Sequence, residues 1–341
     1  MRSMRRRGRT VGAVLGAAVV ALSASCSFGS GSDAELTLYS AQHEDLVTVM
    51  VEGFAEETGI DVVIRSGSDF ELGNQLVQEG AASPADVFLT ENSPAMTLVA
   101  SKGLFAPLKA DTVAQVPPAY VSSGKDWIGF AARSTVLAYN PALQPERDLP
   151  ESIMDLADPR WRGQVGVAAA GADFQAIVSA VLATEGAAAT AVWLQGLKAN
   201  AKVYRSNVAV MAAVNSGEVR TGVMYHYYWY KDRAESGANS RNVELKFFGG
   251  KDPGGFISVS GAGVLKSSDH AADAQRLVGY LTGRSGQEAL VRSNALEYPV
   301  GTGIAANSRL KPLSELDPPA VDIGKLDGAK VVALMQQAGL L

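Results

Sequence analysis

From Leu36 to Ser101 the chain alternates short apolar runs with amphipathic segments, and this order limits the fold more than any other feature. Leu36 to Tyr39 reads as a strand. A helix follows from about Glu44 to Glu57, with Leu46, Val47, Met50 and Phe54 on one face. Ile60 to Arg65 reads as the next strand, Glu71 to Glu79 as a helix and Ala85 to Leu89 as a strand. Ser93 to Ser101 is a short helix ended by Gly103. Such a β-α-β-α-β order buries its apolar faces as a mostly parallel sheet covered on both sides.

A second unit of the same kind begins further on. Gln164 to Ala168 reads as a strand, Asp173 to Thr184 and Ala187 to Leu197 as helices, Val203 and Tyr204 as the opening of a strand, Val208 to Asn215 as a helix and Gly222 to Tyr225 as a strand. Between the units, Trp127 to Tyr139 is apolar and long enough to cross from one to the other, and Phe256 to Leu265 could cross back. The expected class is α/β, with two lobes, each a mostly parallel sheet flanked by helices, hinged by crossing strands. Residues 34–133 and 258–308 would form the first lobe, and residues 134–257 and 309–341 the second. Such lobes can close over a ligand held between them. A chain of about 315 residues after leader removal exceeds what one core usually holds.

The first 25 residues read as a signal peptide. Arg2, Arg5, Arg6, Arg7 and Arg9 precede an apolar run from Val11 to Leu22, too short for a comfortable bilayer span. Leu22-Ser23-Ala24-Ser25-Cys26 resembles a bacterial lipobox, with the leucine one position further from the cysteine than usual. Cys26 is the only cysteine, so it forms no internal disulfide and is the expected lipidation site. Residues 26–33 then serve as a lipid-anchored flexible tether. No other segment reads as a membrane span. The expected location is the outer face of the cell membrane as a lipoprotein, or the periplasm or medium if Cys26 leaves with the leader. The formal net charge is −5, and losing the leader arginines makes it more negative. An acidic surface argues against nucleic acid as a partner.

In open parallel sheets ligands bind beyond the carboxyl ends of the strands. The polar residues there are His43, Glu91, Asn92, the Ala170-Gly171-Ala172 turn, Asn207 as a helix N-cap, and the run Tyr225, His226, Tyr227, Tyr228, Trp229, Tyr230. One imidazole, one carboxylate and two phenols suit a hard, highly charged cation. Ferric iron fits, because its charge can ionise a phenol. Zinc favours cysteine and several histidines, and calcium favours carboxylates and carbonyls. Four protein ligands leave two open positions, and helix N-termini at Gly171–Ala172 and Asn207 could hold an anion that fills them. Each residue also has a plainer role: His43 and Glu91 at helix starts, Gly171 in a tight turn, and the aromatic run as lobe packing. Arg133, near the first crossing, could aid that anion, but reads rather as part of a surface or hinge salt bridge.

Taken together, these residues resemble the ferric-iron-binding, periplasmic-type substrate-binding proteins of ABC transporters. The resemblance rests on Leu38-Tyr39-Ser40-Ala41-Gln42-His43, on Ser83-Pro84-Ala85-Asp86-Val87-Phe88 with Glu91, and on Tyr227-Tyr228-Trp229. Asp252-Pro253-Gly254, Ser260-Gly261-Ala262 and Glu297-Tyr298-Pro299 add to it. It implies a periplasmic-binding-protein fold, with His43, Glu91, Tyr227 and Tyr228 as ligands of Fe³⁺. It also implies a synergistic anion such as phosphate or carbonate near Asn92, Ala170, Gly171, Ala172, Asn207 and Tyr225. Asn92, Ala170, Tyr225 and His226 depart from the family pattern, which leaves the anion's identity open.

The resulting expectation is a monomeric extracytoplasmic receptor of an ABC importer. It would bind Fe³⁺ and deliver it to membrane permease subunits, with no catalysis of its own. No Walker-type loop is present in the sequence, so ATP hydrolysis would fall to a separate subunit. The alternatives are a binding protein for an organic phosphate, a polyamine or an iron chelate, or an extracellular sensor. A metal hydrolase using His43, Glu91 and His226 lacks HExxH spacing.

Overall fold

A computed structural model of the chain describes residues 35–341. The expected signal peptide and tether, with Cys26, lie outside the described residues.

The first unit runs β1 (Glu35–Ser40), α1 (Glu44–Thr58), β2 (Asp61–Ser66), α2 (Asp69–Glu79), β3 (Val87–Leu89), α3 (Ser93–Ser101) and the single-turn α4 (Ala110–Val113). β1 pairs in parallel with both β2 and β3. Glu44 and Asp45 sit in the first turn of α1, where the helix dipole favours acids. Gly59 ends that helix at φ 72°, a left-handed conformation that glycine adopts without steric cost.

β4 (Trp127–Tyr139) is buried along its whole length. Its residues Trp127–Ser134 pair with β9 (Ile257–Val264), and its residues Thr135–Tyr139 pair with β7 (Thr221–Tyr225). One continuous strand therefore belongs to both halves of the molecule, as the length of its apolar run predicts. Between β4 and β9 lie β5 (Val165–Val167), α5 (Ala172–Asn200), β6 (Ala201–Val203), α6 (Asn207–Ser216), β7, α7 (His226–Glu235) and β8 (Glu244–Lys246). β5 runs parallel to β6 and β7. The chain then returns through β9 and ends with α8 (Ala271–Thr282), α9 (Arg284–Arg292), β10 (Tyr298–Pro299) and α10 (Gly328–Gln337). Parallel strands thus lie towards the outside of each half, and antiparallel pairs involving β4 and β9 lie between them.

The core divides in the same way. Leu36, Leu38, Phe54, Val87, Phe88, Trp127, Ile128 and Leu277 belong to one apolar cluster, which Leu310 and Ile323 join. Leu137, Trp161, Phe174, Trp193, Tyr225 and Tyr227 belong to another, which Val331 and Met335 of α10 join. Two local expectations are corrected. The β6 strand lies earlier than Val203–Tyr204. The N-cap of α6 is Ser206, whose hydroxyl accepts from the Ala209 N–H, and Asn207 is the first helical residue. A third correction concerns length and composition: α5 is apolar and long enough to cross a membrane. Gly186 (φ 79°, ψ 169°) breaks it into the two helices expected, and residues Phe174 to Val181 pack inside the core.

Candidate functional site

Each first-lobe candidate stands where a strand hands over to a helix. His43 follows β1 and precedes the first turn of α1. Gln42 steadies it: its side-chain oxygen accepts from the His43 N–H at 2.7 Å, and its amide donates to Ser260 Oγ at 2.8 Å. Glu91 follows β3. The buried Asp69 carboxylate, at the start of α2, accepts from the Glu91 N–H at 2.8 Å and the Asn92 N–H at 3.0 Å. Two backbone donors on one carboxylate fix the peptide that carries Glu91.

Tyr227 and Tyr228 lie in the first turn of α7, directly after β7. Adjacent tyrosines on a strand would point to opposite faces, whereas on a helix they diverge by about 100° and can flank one point. Their ring centroids are 4.2 Å apart. Tyr227 Oη donates to Glu91 Oε1 at 2.9 Å and lies 3.0 Å from His43 Nε2. His43 Nε2 is 3.3 Å from the same Glu91 oxygen. Imidazole, carboxylate and phenol from both lobes thus form a triangle of donor atoms. Neighbouring ligands of a six-coordinate ion with bonds of about 2 Å are spaced by about 3 Å.

Tyr228 Oη instead donates to Asp173 Oδ2 at 2.9 Å. Asp173, in the first turn of α5, is buried. It gathers several of the residues expected to hold an anion: Asn207 Nδ2 donates to its Oδ2 at 2.8 Å, and Asn92 Nδ2 to its Oδ1 at 2.9 Å. Tyr225 Oη lies 3.3 Å from Asn92 Oδ1 and 3.4 Å from the Asp173 carbonyl. Gly171 is the N-cap of α5, with Ala172 as its first residue and Ala170 exposed just before it. From sequence Asp173 reads only as a helix start; its signal is an acid in the first turn after a β-strand, beside the Ala170-Gly171-Ala172 turn.

Charge is distributed unevenly. Burial pushes the Glu91 carboxyl up, but the His43 hydrogen bond and the Arg133 charge outweigh it and hold Glu91 well below the usual range. Burial, then the Glu91 charge, raises Asp173 to about 7 and Asp69 to about 8. Burial lowers His43, but its hydrogen bond and attraction to Glu91 prevail and raise it. Burial and then Asp173 hold the phenols of Tyr227 and Tyr228 well above their ordinary value. Ionising them therefore needs a strong local positive charge, such as a trivalent cation supplies.

Arg133 is fully buried on β4. Its Nη2 donates to Glu297 Oε2 and to Ser260 Oγ, both at 2.7 Å, and its Nη1 donates to the Glu91 carbonyl. Of the surface or hinge salt bridge expected of it, the structure has a fully buried one, with Glu297 as partner. His226 points away from the donor triangle. Its Nδ1 accepts from the Ser134 N–H at 3.1 Å, its ring stacks on Tyr298, and burial and Arg133 lower it to about 3, so it is neutral. A cavity of about 290 Å³ opens beside His43, Tyr227 and Tyr228 and is rimmed by Asp45, Lys231 and Asp232. Lys231 Nζ meets Asp45 Oδ2 at 2.7 Å across this rim.

The sequence is similar to proteins of known role. It is 53% identical over 327 residues to the Fe(3+)-binding periplasmic protein of Serratia marcescens, covering 95% of this chain and 97% of that one. It is 33% identical over 325 residues to the major ferric iron-binding protein of Neisseria meningitidis, covering 94% and 97%. The fold superposes on iron-bound HitA of Pseudomonas aeruginosa with a TM-score of 0.84 and 42% identity, covering 90% of this chain and 99% of that one. The two-lobe periplasmic-binding-protein fold is thereby established. The profile of the bacterial extracellular solute-binding proteins matches residues 82–322, and the chain belongs to that family.

Proposed function

We propose that this protein is an extracytoplasmic receptor that binds Fe³⁺ between its lobes and delivers it to the permease of an ABC importer. The carrying observation is the convergence of His43 Nε2, Glu91 Oε1 and Tyr227 Oη within 3.3 Å of one another, contributed by both lobes. Tyr228 beside Tyr227 completes the proposed protein ligands. The iron-binding names of its relatives support the same cargo. Family membership supports a role in solute binding and transport rather than catalysis.

The lobes are proposed to divide at residues 34–133 with 258–308, and 134–257 with 309–341, with the divided core in support for all but the final segment. There, Leu310 and Ile323 favour the first lobe and α10 the second. For the remaining coordination we favour the Asp173 carboxylate, which already accepts from Asn92, Asn207 and Tyr228. A bound phosphate or carbonate at Asn92, Ala170, Gly171, Ala172, Asn207 and Tyr225 is the other candidate. It would have to take those donors from Asp173. Anchoring through a lipidated Cys26, and a monomeric state, remain part of the proposal.

Equilibrium dialysis against ferric nitrilotriacetate tests the cargo. One ferric ion per chain, with Glu91→Ala lowering affinity at least about 100-fold, is the expected result. Retention of no iron by the wild type would contradict it. Co-purification of membrane permease subunits with the loaded protein tests delivery.

A further inference from the structure

We propose that Asn92 is the positioning residue that ties Asp173 of the second lobe to Glu91 of the first, so that the lobes close in one register. This deepens the ferric-ion reading above and rests on it.

Asn92 is buried at the head of α3, one residue after Glu91. A primary amide offers two hydrogens and two acceptor sites. All four are used. Its nitrogen donates to Asp69 Oδ2 at 3.3 Å, within the first lobe, and to Asp173 Oδ1 at 2.9 Å, in the second. Its oxygen accepts from Ser258 Oγ at 3.0 Å, on β9, and from Tyr225 Oη at 3.3 Å, on β7. One side chain therefore joins two buried carboxylates from different lobes and touches a hinge strand as well. Nothing is left over to hold an added anion.

The link is rigid at both ends. Asp69 also holds the backbone N–H groups of Glu91 and Asn92, so Asn92 and the Glu91 peptide move together. Asp173 holds Asn207, and it meets Tyr228 through the phenol's proton in the metal-free protein and through the shared ion once that phenol is ionised. Fixing Asn92 against Asp173 thus fixes Tyr228 relative to Glu91 without any contact between Asn92 and the cargo. The direction of the amide matters. An aspartate of the same shape would turn an oxygen towards both carboxyl groups and lose both of the hydrogen bonds that the amide donates to them.

The test compares Fe³⁺ release to excess EDTA, the visible charge-transfer band and the radius of gyration for the wild type, Asn92→Ala and Asn92→Asp. The proposal predicts an unchanged band position. It predicts release about 10- to 100-fold faster in Asn92→Ala, the range for a lost hydrogen bond to a charged group, and faster still in Asn92→Asp. The loaded variants should be more open than the loaded wild type. Release within about twofold of wild type would overturn the proposal, since a hydrogen bond to a charge is worth more than that. So would loss of the band in a folded Asn92→Ala protein, which would place Asn92 in the ligand shell. If the variants do not fold, side-chain amide exchange in the wild type decides. The Asn92 amide should exchange more slowly in the Ga³⁺-loaded protein than in the free protein, and equal exchange would overturn the link. Absence of the band in the wild type would instead refute the ferric-ion reading itself.

Discussion

Tyr227 Oη and Glu91 Oε1 lie 2.9 Å apart across the cleft, the phenol carried by α7 of one lobe and the carboxylate by the loop after β3 of the other. On the ligand set proposed above, a cation bound at this meeting point holds the lobes together, and parting the lobes removes ligands from the cation. Binding and closure are thus a single linked equilibrium, and a partner that favours the open form must lower affinity.

Asp173 accounts for the donors that an external anion would otherwise occupy. Fe³⁺ affinity of the wild type is therefore expected to be insensitive to phosphate and carbonate. Asp173→Ala should bind at least about tenfold more weakly, because a ligand carboxylate is lost and even an outer-shell partner is worth that much, and should recover when phosphate takes the vacated position. Competition titrations with and without the anion check this.

The metal-free protein carries two buried acids with raised pKa values, Asp173 at about 7 and Asp69 at about 8, both chiefly through burial. Each binds its proton more tightly folded than unfolded. Their contribution to stability is then greatest below the unfolded value near 4 and is lost as pH rises through 7 and 8. Glu91, held low, acts oppositely and loses its contribution only in strong acid. Thermal midpoints of the metal-free protein should fall between pH 5 and 8, and Asp69→Asn should flatten that slope.

Iron retention has the opposite sense. Its ligands must lose their protons to bind, so lowering the pH below neutral should accelerate release. Stopped-flow loss of the visible band across pH 5 to 8 measures it.

Arg133 and Glu297 form an ion pair with both side chains fully buried. Arg133→Met should destabilise the protein by roughly 3–5 kcal/mol, because Glu297 is left charged and unpaired. Adding Glu297→Leu should recover much of that loss in denaturant titrations. The rim pair Lys231–Asp45 is partly exposed, at 32% and 55% of side-chain area. Asp45→Asn should therefore speed iron release by no more than about fivefold, and salt should diminish the difference.

Much of the fold was legible because periodicity and length carry it. The β-α-β-α-β order of the first unit, the break in α5 at Gly186, and the crossing strand Trp127–Tyr139 all follow from local apolar pattern. The convergence of His43, Glu91 and Tyr227 was legible through strand ends, while the helical start that lets Tyr227 and Tyr228 share a site comes from the fold. Asp173 was not legible, because an acid in a first helical turn is ordinary dipole chemistry until the fold brings Asn92, Asn207 and Tyr228 onto it. The buried Arg133–Glu297 partnership was hidden for a similar reason: 164 residues separate the two.

The most direct test of the central claim is a ferric titration of the protein followed by visible absorption. Phenolate bound to Fe³⁺ gives a charge-transfer band. The account predicts a band that saturates at one iron per chain, weakens in Tyr227→Phe or Tyr228→Phe, and vanishes in the double variant. A wild-type protein that shows no band, with or without added phosphate or carbonate, would contradict it.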